Sequence, residues 1–517
     1  MVALAGQGTR QVDLAGRAVV PGFQDAHAHP LVEGLSLAML DLTGAVDRTA
    51  AMRLLRRAAA ERRDPVLGSH WLEARYHPAR WPDARHPTRD ELDRAAPDVP
   101  VLLHHGSGHA VVANSLALAL AGITAGRADP PGATIDRDRD GEPTGLVLGS
   151  DPAAPFASVL PPLTPEALRD AVRHVSSRLI ADGVTSICDA DLGTLGDPIA
   201  ELAAYAGAAI DGDLAPHLTV FPGLARLTRP DEDPPTPADI GALVPRDARG
   251  RVAVGPAKHF ADGAFTTGDA WLREPYADAD ERGADLRLGR PAHHGDELAE
   301  RLRRAHRAGW QLATHAIGDA GIAATLAAYR SALAELPRPD HRHRIEHAML
   351  LPADLLRETI ALELVAVLQP EFVAATGDVY RARVGPERQG DIYAYRRWLD
   401  AGLRIAFASD RPVTRGRPLD GIRSTARHAG PSGIRLADRQ APTAAEALQA
   451  WTAGAAWATR QEGRAGRLLP GLAADLVVLS GDPTGVSPER WATGDDGLEV
   501  VATLIEGRVV FGEAALG

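Results

Sequence analysis

The chain has 517 residues, a formal net charge of −12, a charged fraction of 24% and an apolar fraction of 45%, enough for a large core and too much for wholesale disorder. The single cysteine, Cys188, excludes an intramolecular disulfide framework and a cysteine-based zinc cage, and arginines scattered among Asp and Glu exclude the basic face of a nucleic-acid binder. The first residues lack the charged start and apolar run of a secretory signal, and no apolar stretch approaches the ~20 residues that span a bilayer, so the expectation is a cytoplasmic protein without nucleic-acid or membrane partners.

In chain order, the first sharp motif is Pro21-Gly-Phe-Gln-Asp-Ala-His27-Ala-His29-Pro30. At a strand end, the two-residue period would put both imidazoles on one face, within reach of one metal ion. Thr164-Pro165 reads as the N-cap and first residue of a helix through 168–180. Gly183 then precedes an apolar strand over 184–188. The Pro/Asp-rich stretch 229–237 reads as a surface loop. The helix–glycine–strand pattern returns with a helix over 296–307, Gly309 and a strand ending at His315. It recurs with a helix over 395–401, Gly402 and a strand ending at Asp410. Thr443-Ala-Ala-Glu446 is a capping box. Beyond Gly466 short strands over 474–479, 500–506 and 508–511 form a small β-rich appendage. The alternation predicts an α/β fold with a parallel sheet, and polar residues at strand C-termini are where a β/α barrel gathers its chemistry.

His27, His29, His315, His347 (ending Arg-Ile-Glu-His) and Asp410 together make an imidazole and carboxylate set that suits Zn²⁺ among other divalent ions. His341 and His343 lie in an Arg-rich entry segment and read as a solvated loop outside that set. Lys258 stands out by composition, because the 56 basic residues comprise this one lysine and arginines, and Asn114 is the only asparagine. Two roles are open to Lys258: an ion pair with Asp262, or reaction with CO₂ to give an anionic carbamate between two metals. The second needs a primary amine, which arginine cannot supply. Trp71, Tyr76 and Trp81 could wall a pocket or simply pack.

The ordered set of these motifs resembles the amidohydrolase superfamily, nearest the branch that includes N-substituted formamide deformylases. It includes Lys258-His-Phe-Ala-Asp-Gly, Thr314-His-Ala-Ile-Gly-Asp, Arg344-Ile-Glu-His-Ala and Ala408-Ser-Asp-Arg-Pro-Val. Further matches are Gly108-His109-Ala-Val-Val-Ala-Asn114, Asp129-Pro-Pro-Gly132, Arg273-Glu-Pro-Tyr276 and the tail 468–479. The resemblance implies a distorted TIM-type (β/α)8 barrel over 23–455, with an insertion at about 68–150. It implies a small β-sandwich built from 1–22 and 456–517. His27 and His29 would hold one metal, His315 and His347 a second, and carboxylated Lys258 would bridge them. Asp410 would bind metal and shuttle the proton, while His109, Asn114 and Asp262 would contact substrate. Relatives carry several strands before the His-x-His motif, so part of the sandwich is expected to be missing here, exposing a sheet edge.

The implied reaction is hydrolysis of a non-peptide, amide-type C–N bond of a small molecule, an N-formyl or N-acyl amine. Three alternatives stand beside it: a one-metal enzyme with uncarboxylated Lys258, a hydrolase of esters, lactones or cyclic amides, and a non-catalytic scaffold. A homodimer is left open.

Overall fold

The helix–glycine–strand units form as the sequence predicts. In the computed structural model, Thr164 caps the helix Pro165–Ala181 by accepting from the Ala167 N–H, and the strand Val184–Leu192 follows. Helix Glu297–Arg307 leads to the strand Leu312–Ala316, and helix Tyr395–Asp400 to the strand Arg404–Phe407. Gly183 (φ 80°) and Gly309 (φ 97°) occupy left-handed backbone at the two earlier reversals, a conformation that costs glycine nothing. The structure describes residues 6–515 except 7, 10, 62–70, 79–80, 84, 107, 131–132, 150, 162, 228–231, 282–286 and 294. The last two residues of the Asp129–Gly132 motif and the start of the 229–237 loop therefore lie outside the described residues.

The fold is α/β. One parallel sheet has the order Val252–Val254, His217–Pro222, Val184–Leu192, Phe23–Ala28. A second runs Ala257–Phe260, Leu312–Ala316, Arg344–His347, Val365–Leu368, Arg404–Phe407. At one seam between them Gly223 and Lys258 form a parallel bridge. At the other, the Asp410 N–H donates to the His27 carbonyl (2.8 Å). No continuous ladder closes the two sheets into a barrel among the described residues. The main core lies between these strands and their helices, with Trp310, Trp398 and Tyr329 fully buried in it.

Both chain ends meet in one antiparallel sheet, in the order Ala18–Pro21, Leu476–Leu479, Val500–Ile505, Arg508–Phe511. Thr503 ties it to the helix Pro165–Ala181 by donating to the Ile180 carbonyl (2.7 Å). Ala18–Pro21 is an outer strand, with Val19 39% exposed. Among the described residues the chain ends meet in this one sheet.

A six-stranded mixed sheet spans the region from Leu40–Asp41 to Pro143–Leu148. Its own core joins Leu42, Leu55, Leu72, Leu92 and Leu103. Helix Arg48–Ala60, which precedes residue 68, buries its apolar face against that sheet.

Candidate metal centre

Six side chains, four of them on separate strands, meet at one end of the parallel sheets. His27 lies in Phe23–Ala28, Lys258 in Ala257–Phe260, His315 in Leu312–Ala316, and His347 ends Arg344–His347. Asp410 follows Arg404–Phe407. His29 is not on the strand at all: it is the residue that caps helix Pro30–Ala38, and the register slips between Asp25 and Ala28. The two imidazoles converge through that slip and the strand-to-helix turn, which corrects the simple two-residue account. His347 (φ 72°) and Asp410 (φ 54°) hold left-handed backbone, at a cost of about 1–2 kcal/mol each for a non-glycine residue. Such strain persists where the surroundings fix a side chain's direction.

His29 Nε2 lies 3.2 Å and His27 Nε2 3.6 Å from Asp410 Oδ1. Ligand atoms of these three residues all fall within 4.8 Å of one another. The His27 and His347 rings are 5.1 Å apart, and those of His347 and His315 4.5 Å. Lys258 Nζ is 3.4 Å from His27 Nε2 and 4.8 Å from the Phe260 ring centre. All but His29 are buried.

The donor set fits a divalent metal on its own chemistry. Burial pushes His27, His315 and His347 well below the ordinary imidazole range, with neighbouring charges, Lys258 among them, adding to the effect. A neutral ring keeps one lone pair for a metal. Burial alone would raise Asp410, but its contact with His29 and the charges of His27, His29 and Lys258 outweigh this and hold it below its usual value. Conversely His29 is raised, burial being outweighed by Asp410. Burial lowers Lys258 against the pull of Glu346, Asp191 and Asp410.

Partners behind the rings fix their orientation. His27 Nδ1 donates to Glu346 Oε2 (2.5 Å) and His347 Nδ1 to Gln369 Oε1 (2.8 Å). His315 Nε2 donates to the Gly263 carbonyl (3.1 Å), leaving Nδ1 as its ligand atom. Glu346 also accepts from Arg344 Nε (2.7 Å) and Nη2 (2.8 Å). Arg344 Nη2 reaches the Ala26 carbonyl (2.9 Å), its guanidinium lies over the Phe221 ring, and both members of the pair are 0% exposed. Sequence reasoning missed Arg344, Glu346 and Gln369. A charged pair at i, i+2 inside a buried strand was a readable signal for the first two. Gln369 directly follows the apolar strand Val365–Leu368, the same strand-end position that singled out His315.

Several expectations need correction. Asn114 is 0% exposed and its amide is fully used: Oδ1 accepts from the Val101 and Ala117 N–H groups, and Nδ2 donates to the Ala96 and Val99 carbonyls. It is an N-cap for Ser115–Leu120 with no atom left for substrate. Asp262 neither pairs with Lys258 nor presents a free carboxylate. It accepts from the N–H groups of Trp271, Ile317 and Gly318 (2.9, 3.0 and 2.7 Å), pinning the chain after His315, and burial lifts it to about 8. His341 and His343 are buried, not solvated: His343 accepts at Nδ1 from the Leu312 N–H, and its Nε2 meets His306 Nδ1. Trp71, Tyr76 and Trp81 are packed in the insertion, with Tyr76 and Trp81 stacked and Trp81 Nε1 bonded to the Ala45 carbonyl. His109 does reach the centre from the insertion, its ring 6.1 Å from that of His315.

The sequence matches the amidohydrolase family over residues 10–511. YtcJ of Bacillus subtilis (strain 168), an amidohydrolase by name, is 29% identical over 509 residues, 97% of this chain and 90% of that protein. The N-substituted formamide deformylase of Arthrobacter pascens is 28% identical over 510 residues, 96% and 89% of the two chains. Among solved structures, an uncharacterized metal-dependent hydrolase from Pyrococcus horikoshii OT3 shares the fold. Its TM-score is 0.69 at 24% identity, over 93% of this chain and 90% of that one. The family implies a divalent metal and, with its hydrolase-named relatives, supports an enzyme over the scaffold alternative. This chain belongs to the amidohydrolase family and is an enzyme of that kind.

Proposed function

We propose that the enzyme hydrolyses an amide-type C–N bond of a small molecule, an N-formyl or N-acyl amine, with two Zn²⁺ ions bridged by carboxylated Lys258. The observation that carries this reading is the convergence of His27, His29, His315, His347, Asp410 and Lys258 on one end of the parallel sheets. Two seam contacts, Gly223–Lys258 and Asp410–His27, support treating those sheets as halves of one distorted barrel. On the same reading the terminal sheet belongs to a β-sandwich, barrel and sandwich divide near residues 22 and 455, and the enzyme works in the cytoplasm.

Lys258 is 3% exposed, and its Nζ lies 3.4 Å from His27 Nε2. Burial lowers this amine and so favours its neutral, CO₂-reactive form, and the resulting carbamate would replace a cation with an anion where cations bind. His27 and His29 would hold one ion and His315 and His347 the other. Bound divalent ions polarise a carbonyl and lower the pKa of water to about 7. The Asp410 carboxylate accepts the proton of the attacking water and hands it to the leaving nitrogen. His109, beside His315, is placed to donate to the substrate.

A one-metal reading has its own support, because His27, His29 and Asp410 already form a compact ligand group without Lys258. A substrate screen of N-formyl, N-acyl and cyclic amides against esters and lactones, with added Zn²⁺ and with chelator, tests the reaction. The proposal expects chelator-sensitive amide hydrolysis. Turnover that ignores chelation, or of esters alone, contradicts it.

A further inference from the structure

At the opposite, N-terminal end of the first parallel sheet lies a cavity of about 210 Å³ that the reaction does not use. Its wall includes Gln24, Ser186, His217, Thr219, Arg251 and Arg464. Gln24 and Ser186 are register partners on adjacent strands. Gln24 is 3% exposed, and neither its Oε1 nor its Nε2 has a hydrogen-bond partner. Leaving such an amide unmatched costs about 1–3 kcal/mol per group.

The same wall carries the guanidiniums of Arg251 and Arg464. Arg464 donates Nη2 to Ser186 Oγ (2.8 Å) and is anchored behind by Asp475 (2.7 Å). Arg251 donates Nη1 to His217 Nε2 (2.9 Å) and is anchored by Glu506 (3.2 Å). Burial, and then the Arg464 and Arg251 charges, lower His217 to about 3, so its ring is neutral although Glu506 Oε1 lies 3.3 Å from Nε2. Asp25, the acid on the wall, turns its carboxylate to the Ser409 N–H and hydroxyl (2.9 and 2.5 Å). The volume is several times the ~30 Å³ share of one water.

We propose that this cavity is a binding site for a small oxyanion that carries a hydroxyl, of the hydrogenphosphate class. The two guanidiniums meet the oxyanion, Gln24 Nε2 donates to it, and Gln24 Oε1 accepts from its hydroxyl. Sulfate has the same shape and charge at neutral pH but no hydroxyl, so it leaves Gln24 Oε1 unmatched and binds more weakly.

The test is calorimetric and thermal-shift titration of the metal-loaded enzyme with inorganic phosphate, and with sulfate and chloride at matched ionic strength. Two variants accompany it: Gln24→Leu, close in size, and Asp410→Asn, at the metal centre. The expected result is saturable phosphate binding in wild type and in Asp410→Asn. Sulfate should bind at least tenfold more weakly, and Gln24→Leu should weaken phosphate at least tenfold. Thr219→Val provides a second wall variant should Gln24→Leu fail to fold, and it too should weaken phosphate. Several results would overturn the site: no saturable phosphate binding in wild type, unchanged binding in the wall variant, equal affinity for sulfate, or loss of binding in Asp410→Asn, which would place phosphate on the metals.

Discussion

Replacing Glu346 by Gln should uncouple the metal centre from its support. Glu346 accepts three charge-assisted hydrogen bonds, from His27 Nδ1 at 2.5 Å and from Arg344 Nε and Nη2 at 2.7 and 2.8 Å. A glutamine has one acceptor oxygen, so however it turns, its NH₂ meets a donor. Arg344, 0% exposed, is left with an uncompensated charge, and breaking a buried pair in this way costs about 3–5 kcal/mol of stability. His27 loses the carboxylate that fixes its tautomer, and such losses lower metal affinity by about 10–100-fold. Denaturant titration reads the first effect and competition with a chromophoric zinc chelator the second. The double variant Glu346→Gln/Arg344→Met removes the orphaned charge, so it should recover most of the stability and little of the metal affinity. Metal affinity within about twofold of wild type in both variants would refute the reasoning.

Asn114→Ala should cost about 2–4 kcal/mol, because it removes a helix cap and four buried hydrogen bonds. At a permissive temperature kcat/KM should stay within about twofold, whereas a large loss of activity with unchanged stability would return Asn114 to the substrate. His217, at about 3 in the folded state against about 6.5 unfolded, takes up its proton more readily when unfolded. Its contribution is therefore present above pH ~6.5 and drains away as pH falls toward 3. Between pH 7 and 4.5, wild type should lose about 2–3 kcal/mol more than His217→Gln in denaturant titrations, and equal losses would show that the ring is not held neutral.

The parallel-strand ends were legible because apolar runs stop there at polar residues. That rule singled out His315 and Asp410, while the His-x-His motif pointed to His27, and it would have pointed to Gln369 had it been applied after 365–368. It failed for His29, whose direction comes from a register slip and a helix start that period-two reasoning does not contain. Asn114 was misread although an asparagine before Ser-Leu-Ala-Leu is an N-cap signal. Its rarity in the chain drew attention to function, while its four backbone partners show that a short amide was needed to join a strand start to a helix start. His341 and His343 look solvated beside arginines. Yet Arg342 turns out to the Trp457 ring while the two histidines turn into the body, and composition does not encode that choice. The pairing of Ala18–Pro21 with Leu476–Leu479 joins residues far apart in sequence, which local patterning does not encode.

The most direct measurement of the central claim is metal stoichiometry in purified wild type and in Lys258→Arg, with intact mass determined for a carbamate under native conditions. The arginine variant keeps the charge and has no primary amine. The account predicts two divalent ions per wild-type chain and a labile CO₂ adduct at Lys258. In the arginine variant it predicts at most one ion and no turnover. One ion per wild-type chain, or an arginine variant that holds two ions and turns over, would contradict it.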